Sequence, residues 1–121
     1  FGGTTAIELA RTGAHLAGVV SFHGGLDSPD PDAEKKIAAP ILMLHGANDP
    51  HVPREEIQTL RKNFDAAGVI WTLVELSQAV HSFTDPAAGN DPSRGAAFNS
   101  RAALESWRLF ASYFRAWTGK R

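Results

Sequence analysis

The chain has 121 residues, enough for one modest domain, with 12 basic and 13 acidic residues and a formal net charge of −1. Near-balanced charge without a like-charge block gives no electrostatic case for nucleic acid or an anionic membrane, and no apolar run reaches the roughly 18 residues of a membrane span. The absence of cysteine excludes disulfides, thiolate metal sites and a cysteine nucleophile within these residues.

The chain opens Phe1-Gly2-Gly3, with no initiating methionine and no signal peptide, and reads as the middle of a domain. The compartment is left open, with the cytoplasm favoured. Thr4 to Thr12 carries Ala, Leu and Ile and is followed by Gly13, which predicts a helix with a glycine stop. Leu16 to Phe22 is a short β-branched apolar run and predicts a buried strand, broken by Gly24-Gly25. Asp27 to Asp32, with Pro29 and Pro31, predicts a polar loop. Pro40 then opens a second buried strand, Ile41 to His45.

Pro53 suits a first helical position, and Glu55 and Glu56 suit the first turn, where the helix dipole favours anions. Ile57, Leu60 and Phe64 form one apolar stripe, and Gly68 ends that helix. Val69 to Leu76 predicts a third strand, and Ser77 to Asn90 a loop carrying His81. The last helix spans about Asn99 to Trp117, with Ala103, Trp107, Phe110, Phe114 and Trp117 as its core-facing stripe.

Strands alternating with helices imply a parallel sheet with right-handed crossovers. Three such strands make a thin sheet that leaves an apolar edge exposed. The expected architecture is therefore three parallel strands with flanking helices, the C-terminal portion of a larger α/β domain.

In open α/β sheets the functional groups gather beyond the C-terminal strand ends. Asp49 follows the second strand there, and His81 follows the third. Neighbouring parallel strands stand about 4.8 Å apart, so their exit loops can bring an acid and an imidazole into contact. An aspartate that orients a histidine is two thirds of a nucleophilic triad, and acid before histidine is the order that follows a nucleophile elbow in α/β-hydrolases. If Phe1 sits just after the nucleophile, Gly2 closes the elbow and Gly3 lets the helix approach the sheet. Read singly, Asp49 in Ala-Asn-Asp-Pro is a turn residue or helix cap, and His81 a solvated loop histidine. His23 reads first as a hydrogen-bonded structural histidine, and His23 and His51 are both candidate pocket residues. Core packing is the default reading of Phe83, which is also a candidate for an apolar pocket wall. His45, Asp49 and His51 fit no closed zinc pattern, so no metal and no cofactor is expected.

At these residues the chain resembles the dienelactone hydrolase family. The resemblance rests on Phe1-Gly2-Gly3 opening a helix, Val20 to Leu26 (VSFHGGL), Ala39 to Pro53 (APILMLHGANDPHVP) and Val80 to Thr84 (VHSFT). It covers essentially the whole chain and corresponds to the C-terminal half of that family's domain. It implies a Cys nucleophile just before Phe1, Asp49 as orienting acid, His81 as base and the Phe1 backbone N–H as an oxyanion donor. The implied substrate is a small ester or lactone, and the N-terminal half of the same domain is an implied requirement. One departure bears on the substrate. The family's own dienelactone hydrolases carry an arginine soon after the histidine, whereas Ser82, Phe83, Thr84 and Asp85 stand there and Arg94 is the first arginine. The competing readings are a serine esterase or peptidase of the same fold, and a non-catalytic α/β binding module.

Overall fold

The structure, a computed structural model, describes residues 1–119. Its elements are α1 (Gly2–Arg11), β1 (Val19–Phe22), α2 (Pro31–Glu34), β2 (Ile41–Gly46), α3 (Arg54–Ala67), β3 (Trp71–Leu76) and α4 (Ser100–Thr118), with short 3₁₀ turns at Pro86–Ala88 and Pro92–Arg94. The three strands form one parallel sheet in the order β1-β2-β3, with Val19 opposite Ile41 and Ile41 opposite Trp71. This is the architecture expected from the alternating pattern.

Side chains alternate across a strand, and β2 is buried at all six positions because both faces of the sheet are covered. On one face Ile41 and Met43 pack with Ile7 and Ala10 of α1 and with Leu60 and Phe64 of α3. On the other, Leu42 and Leu44 pack with Leu76, Phe83 and Ala102, backed by Leu109 and Tyr113 of α4. A middle layer of strands thus separates α1 and α3 from α4.

Several boundaries differ from expectation. The segment from Asp27 to Asp32 is not all loop: Asp30 caps α2 by accepting from the Asp32 N–H at 3.0 Å, with Pro31 at the first turn. Pro53 is the extended residue before α3 rather than its first helical residue. The first strand starts at Val19, and Gly18 ahead of it lies directly under the Trp117 ring, where a Cβ would collide. The third starts at Trp71, leaving Ile70 exposed.

The aromatic stripe of α4 is a larger correction. Trp107 is 50% exposed and Phe114 49%. The buried line is Ala102, Ala103 and Ser106, small residues that let the helix approach the sheet. Trp107 and Phe110 instead flank Phe22 of β1, with ring centroids 4.6 and 5.9 Å away. Phe110 also lines an apolar groove beside the β1 edge, together with Val20, Phe22, Phe114 and Trp117.

A buried polar cluster fastens the α1 face. Arg11 Nε donates to Glu34 Oε1 at 2.6 Å, Ser28 Oγ donates to Glu34 Oε2 at 2.5 Å, and Asn63 Nδ2 donates to the Ser28 carbonyl at 3.0 Å. It joins α1, α2 and α3 around a carboxylate with no exposure. Removing one partner of a buried ion pair strands the other, so Glu34→Ala should cost roughly 3–5 kcal/mol in denaturant unfolding. A loss under about 1 kcal/mol, the range of an exposed pair, would contradict that assignment.

Candidate active site

Asp49 and His81 meet. Asp49 Oδ2 lies 3.0 Å from His81 Nδ1, and the carboxylate side chain has no exposure while that of His81 retains 27%. An ionised carboxylate only accepts hydrogen bonds, so Nδ1 is the donor and the lone pair is left on Nε2. The other carboxylate oxygen accepts from the His51 N–H at 2.8 Å. Asp49 is thus a turn residue that also meets the imidazole: one oxygen closes the turn and the other lies against His81.

Two backbone features bring these groups together. The first is Gly46 at the end of β2. A Cβ there would stand 2.7 Å from the Val80 carbonyl oxygen and 2.8 Å from that of Ala79, so only glycine lets the two exit loops touch. Ala47 N–H donates to Leu76 O, and Asn48 N–H to Ala79 O, both at 2.9 Å. The second is a clamp on the His81 backbone. Its N–H donates to Gly95 O at 3.2 Å, and its carbonyl accepts from Ala97 N–H at 3.0 Å. Ser82 follows with φ +59, a left-handed conformation uncommon for a residue with a Cβ.

Phe1 lies at the head of α1, 96% exposed, its carbonyl accepting from the Thr5 N–H at 3.0 Å. Gly3 makes the expected close approach: a Cβ would fall on Ser21 Oγ and stand 2.8 Å from Gly24 Cα. Gly2 is open, with nothing within 4 Å of a Cβ.

His23 and His51 flank His81, their ring centroids 5.5 and 5.3 Å from its own. His23 Nε2 is 2.8 Å from Thr84 Oγ1, so it is hydrogen-bonded as well as site-facing. Phe83 is corrected. It has no exposure and lies in the core cluster, so it walls no open pocket, and its ring supports His23 edge-on at 4.9 Å. Sequence reasoning did not single out Gly46 or Thr84. Gly46 carried a visible signal, a lone glycine at a strand end. Thr84 carried none, because its partner stands 61 residues away.

Among the described residues no group of three or more His, Cys, Asp or Glu could hold a metal ion, and no helix is long and apolar enough to cross a membrane. A cavity of about 360 Å³ lies behind the pair on the α3 face, walled by His45, Asp49, Arg54, Arg61 and Glu75 among others. His45 is 3% exposed and its Nδ1 has no partner among the described residues.

Burial holds His45 below the usual imidazole range, and burial followed by the neighbouring His81 does the same to His23. The sign follows from linkage. The unfolded chain takes up protons near 6.5 that the folded rings refuse, so their stabilisation is full above that value and declines as pH falls through it. The melting temperature should drop on acidification from about pH 7 to about pH 5, and His45→Gln should drop less over that interval. An equal decline in the variant would contradict the burial of a neutral ring.

The dienelactone hydrolase family model matches residues 1–118. A protein of Escherichia coli (strain K12) named as a carboxymethylenebutenolidase is 28% identical over 129 aligned residues, covering 100% of this chain and 45% of that protein. The crystal structure of a dienelactone hydrolase-like promiscuous phosphotriesterase from metagenomic libraries superposes with a TM-score of 0.87 at 39% identity, covering 94% of this chain and 48% of that one. A Klebsiella pneumoniae structure named for the same family, at 23% identity and a TM-score of 0.71, adds likeness of fold. The fold is that of an α/β-hydrolase, and the chain spans about half the length of these relatives.

Proposed function

The chain belongs to the dienelactone hydrolase family, and from that premise we propose that it carries the acid and base of a hydrolase that opens carboxylic esters or lactones. The nucleophile, a Cys by the family's pattern, is the residue immediately before Phe1 in the complete domain. The observation that carries this reading is the 3.0 Å pairing of Asp49 Oδ2 with His81 Nδ1 at the C-terminal rim of the sheet.

A thiol or hydroxyl is a weak nucleophile at neutral pH until a base removes its proton. His81 Nε2 accepts that proton as the nucleophile attacks the carbonyl carbon. Asp49 keeps the ring in the required tautomer and stabilises the imidazolium without taking the proton itself. The Phe1 N–H donates to the oxyanion, a contribution of about 3 kcal/mol in such sites. The imidazolium returns its proton to the leaving oxygen, and water then attacks the acyl-enzyme with His81 again as base. No metal or cofactor enters these steps.

The rim around His81 favours uncharged substrates. Its flanking rings are His23 and His51, and the four residues after it include no cation. A neutral phosphotriester also suits such a rim, and the similar metagenomic protein is a phosphotriesterase. The apolar groove beside β1, with Phe114 half-exposed, packs against the N-terminal part of the same domain in this reading.

In the complete domain, Asp49→Asn should lower kcat on p-nitrophenyl acetate by several orders of magnitude, as expected of a tautomer error. The 121-residue chain alone should show no turnover above background. A loss below about tenfold would remove Asp49 from the role. Turnover by the isolated chain that disappears in His81→Ala would place the nucleophile within it.

A further inference from the structure

His23 takes no part in the relay, yet its placement is tightly determined. It ends β1, where its N–H donates to the Leu44 carbonyl at 2.8 Å. Its φ is +42, left-handed for a residue with a side chain. The turn behind it is packed hard: a Cβ on Gly24 would stand 2.7 Å from the Gly3 carbonyl carbon. Backbone held in such a conformation persists only where its surroundings over-determine it, and such sites cluster where function needs a fixed geometry.

The ring reaches the loop that bears the base. Its Nε2 lies 2.8 Å from Thr84 Oγ1, and Thr84 follows His81 by three residues across the left-handed Ser82. Phe83 supports the ring from the core in an edge-on contact with an interplanar angle of 82°. The stretch from His81 to Thr84 is therefore pinned at its start by Gly95 and Ala97 and at its end by His23.

We propose that His23 is a positioning residue for the catalytic base: through Thr84 it holds the His81 loop in place, with its ring set edgewise beside the imidazole. This rests on the reading of His81 as the base. The titratable groups facing His23 are His81 on the loop after β3 and Asp49 on the loop after β2. Burial and the His81 ring both work against protonation of His23. The neutral form matters because a second cation there would oppose the imidazolium that forms on His81 during attack.

The test uses the complete domain. His23→Phe keeps the packing on Phe83 and removes the bond to Thr84; Thr84→Val removes it from the other side. Each should lower kcat roughly tenfold or more with KM within about twofold, since misplacing a reacting group costs rate more than binding. The double variant should be no slower than the slower single, and His23→Gln, which can still reach Thr84, should recover part of the loss. The His81 ring signals in NMR of the resting protein should also shift in both single variants, a readout that needs no turnover. Wild-type kcat in both singles, or losses that multiply in the double, would overturn the proposal. Shifted His81 signals in a protein that hydrolyses no ester would sink the hydrolase reading and leave the positioning role standing. Unmoved signals in an active enzyme with unchanged kcat would sink the positioning role alone. If His23→Phe does not fold, Thr84→Val decides.

Discussion

Two loops leave the C-terminal ends of β2 and β3 back to back, and Gly46 is where they touch. With no side chain at 46, the Ala79 and Val80 carbonyls lie where a Cβ would otherwise stand. The backbone bonds from Ala47 and Asn48 then tie one loop to the other. Asp49 is one residue beyond that seam and His81 one residue beyond its counterpart, so the carboxylate–imidazole bond is a direct consequence. A longer loop on either side would need its own ordering, at roughly 1–2 kcal/mol of backbone entropy per residue. Here the ordering is already supplied by the sheet.

The sheet provides that rigidity because β2 is sandwiched. Ile41 to Leu44 alternate between the α1–α3 core and the α4 core, so neither face can shift without opening packed contacts. Asp49 at the exit of the most buried strand and His81 at the exit of its neighbour thus stand on a sheet packed on both faces. Among the described residues His23, Gln78 and Ser82 are the non-glycine residues with left-handed backbone, and His23 and Ser82 stand beside the imidazole.

The legible parts of the fold were those governed by short-range pattern. Strand runs such as Ile41 to His45, the helix stops at Gly13 and Gly68, and the acid and histidine after successive strands all follow from neighbours along the chain. What was not legible depends on contacts distant in sequence. The α4 stripe was expected to face the core because Trp107, Phe110 and Phe114 are large and apolar. Small residues at 102 and 106 instead govern the approach to the sheet, and the large rings flank the β1 edge strand. Of the two readings of Phe83, core or pocket wall, the structure takes the core, with the left-handed Ser82 just before it. The His23–Thr84 bond joins positions 61 residues apart and leaves no local trace. The α2 helix is different: the Asp30-Pro31 capping signal was present, and the surrounding prolines masked it.

The central claim is that Asp49 holds His81 with the proton on Nδ1 and the lone pair on Nε2. Nitrogen-15 NMR of the imidazole rings in the complete domain tests it most directly. The account predicts that neutral His81 is the Nδ1–H tautomer and that Asp49→Asn abolishes this preference. A His81 ring that carries its proton on Nε2, or whose signals are indifferent to Asp49→Asn, would contradict it.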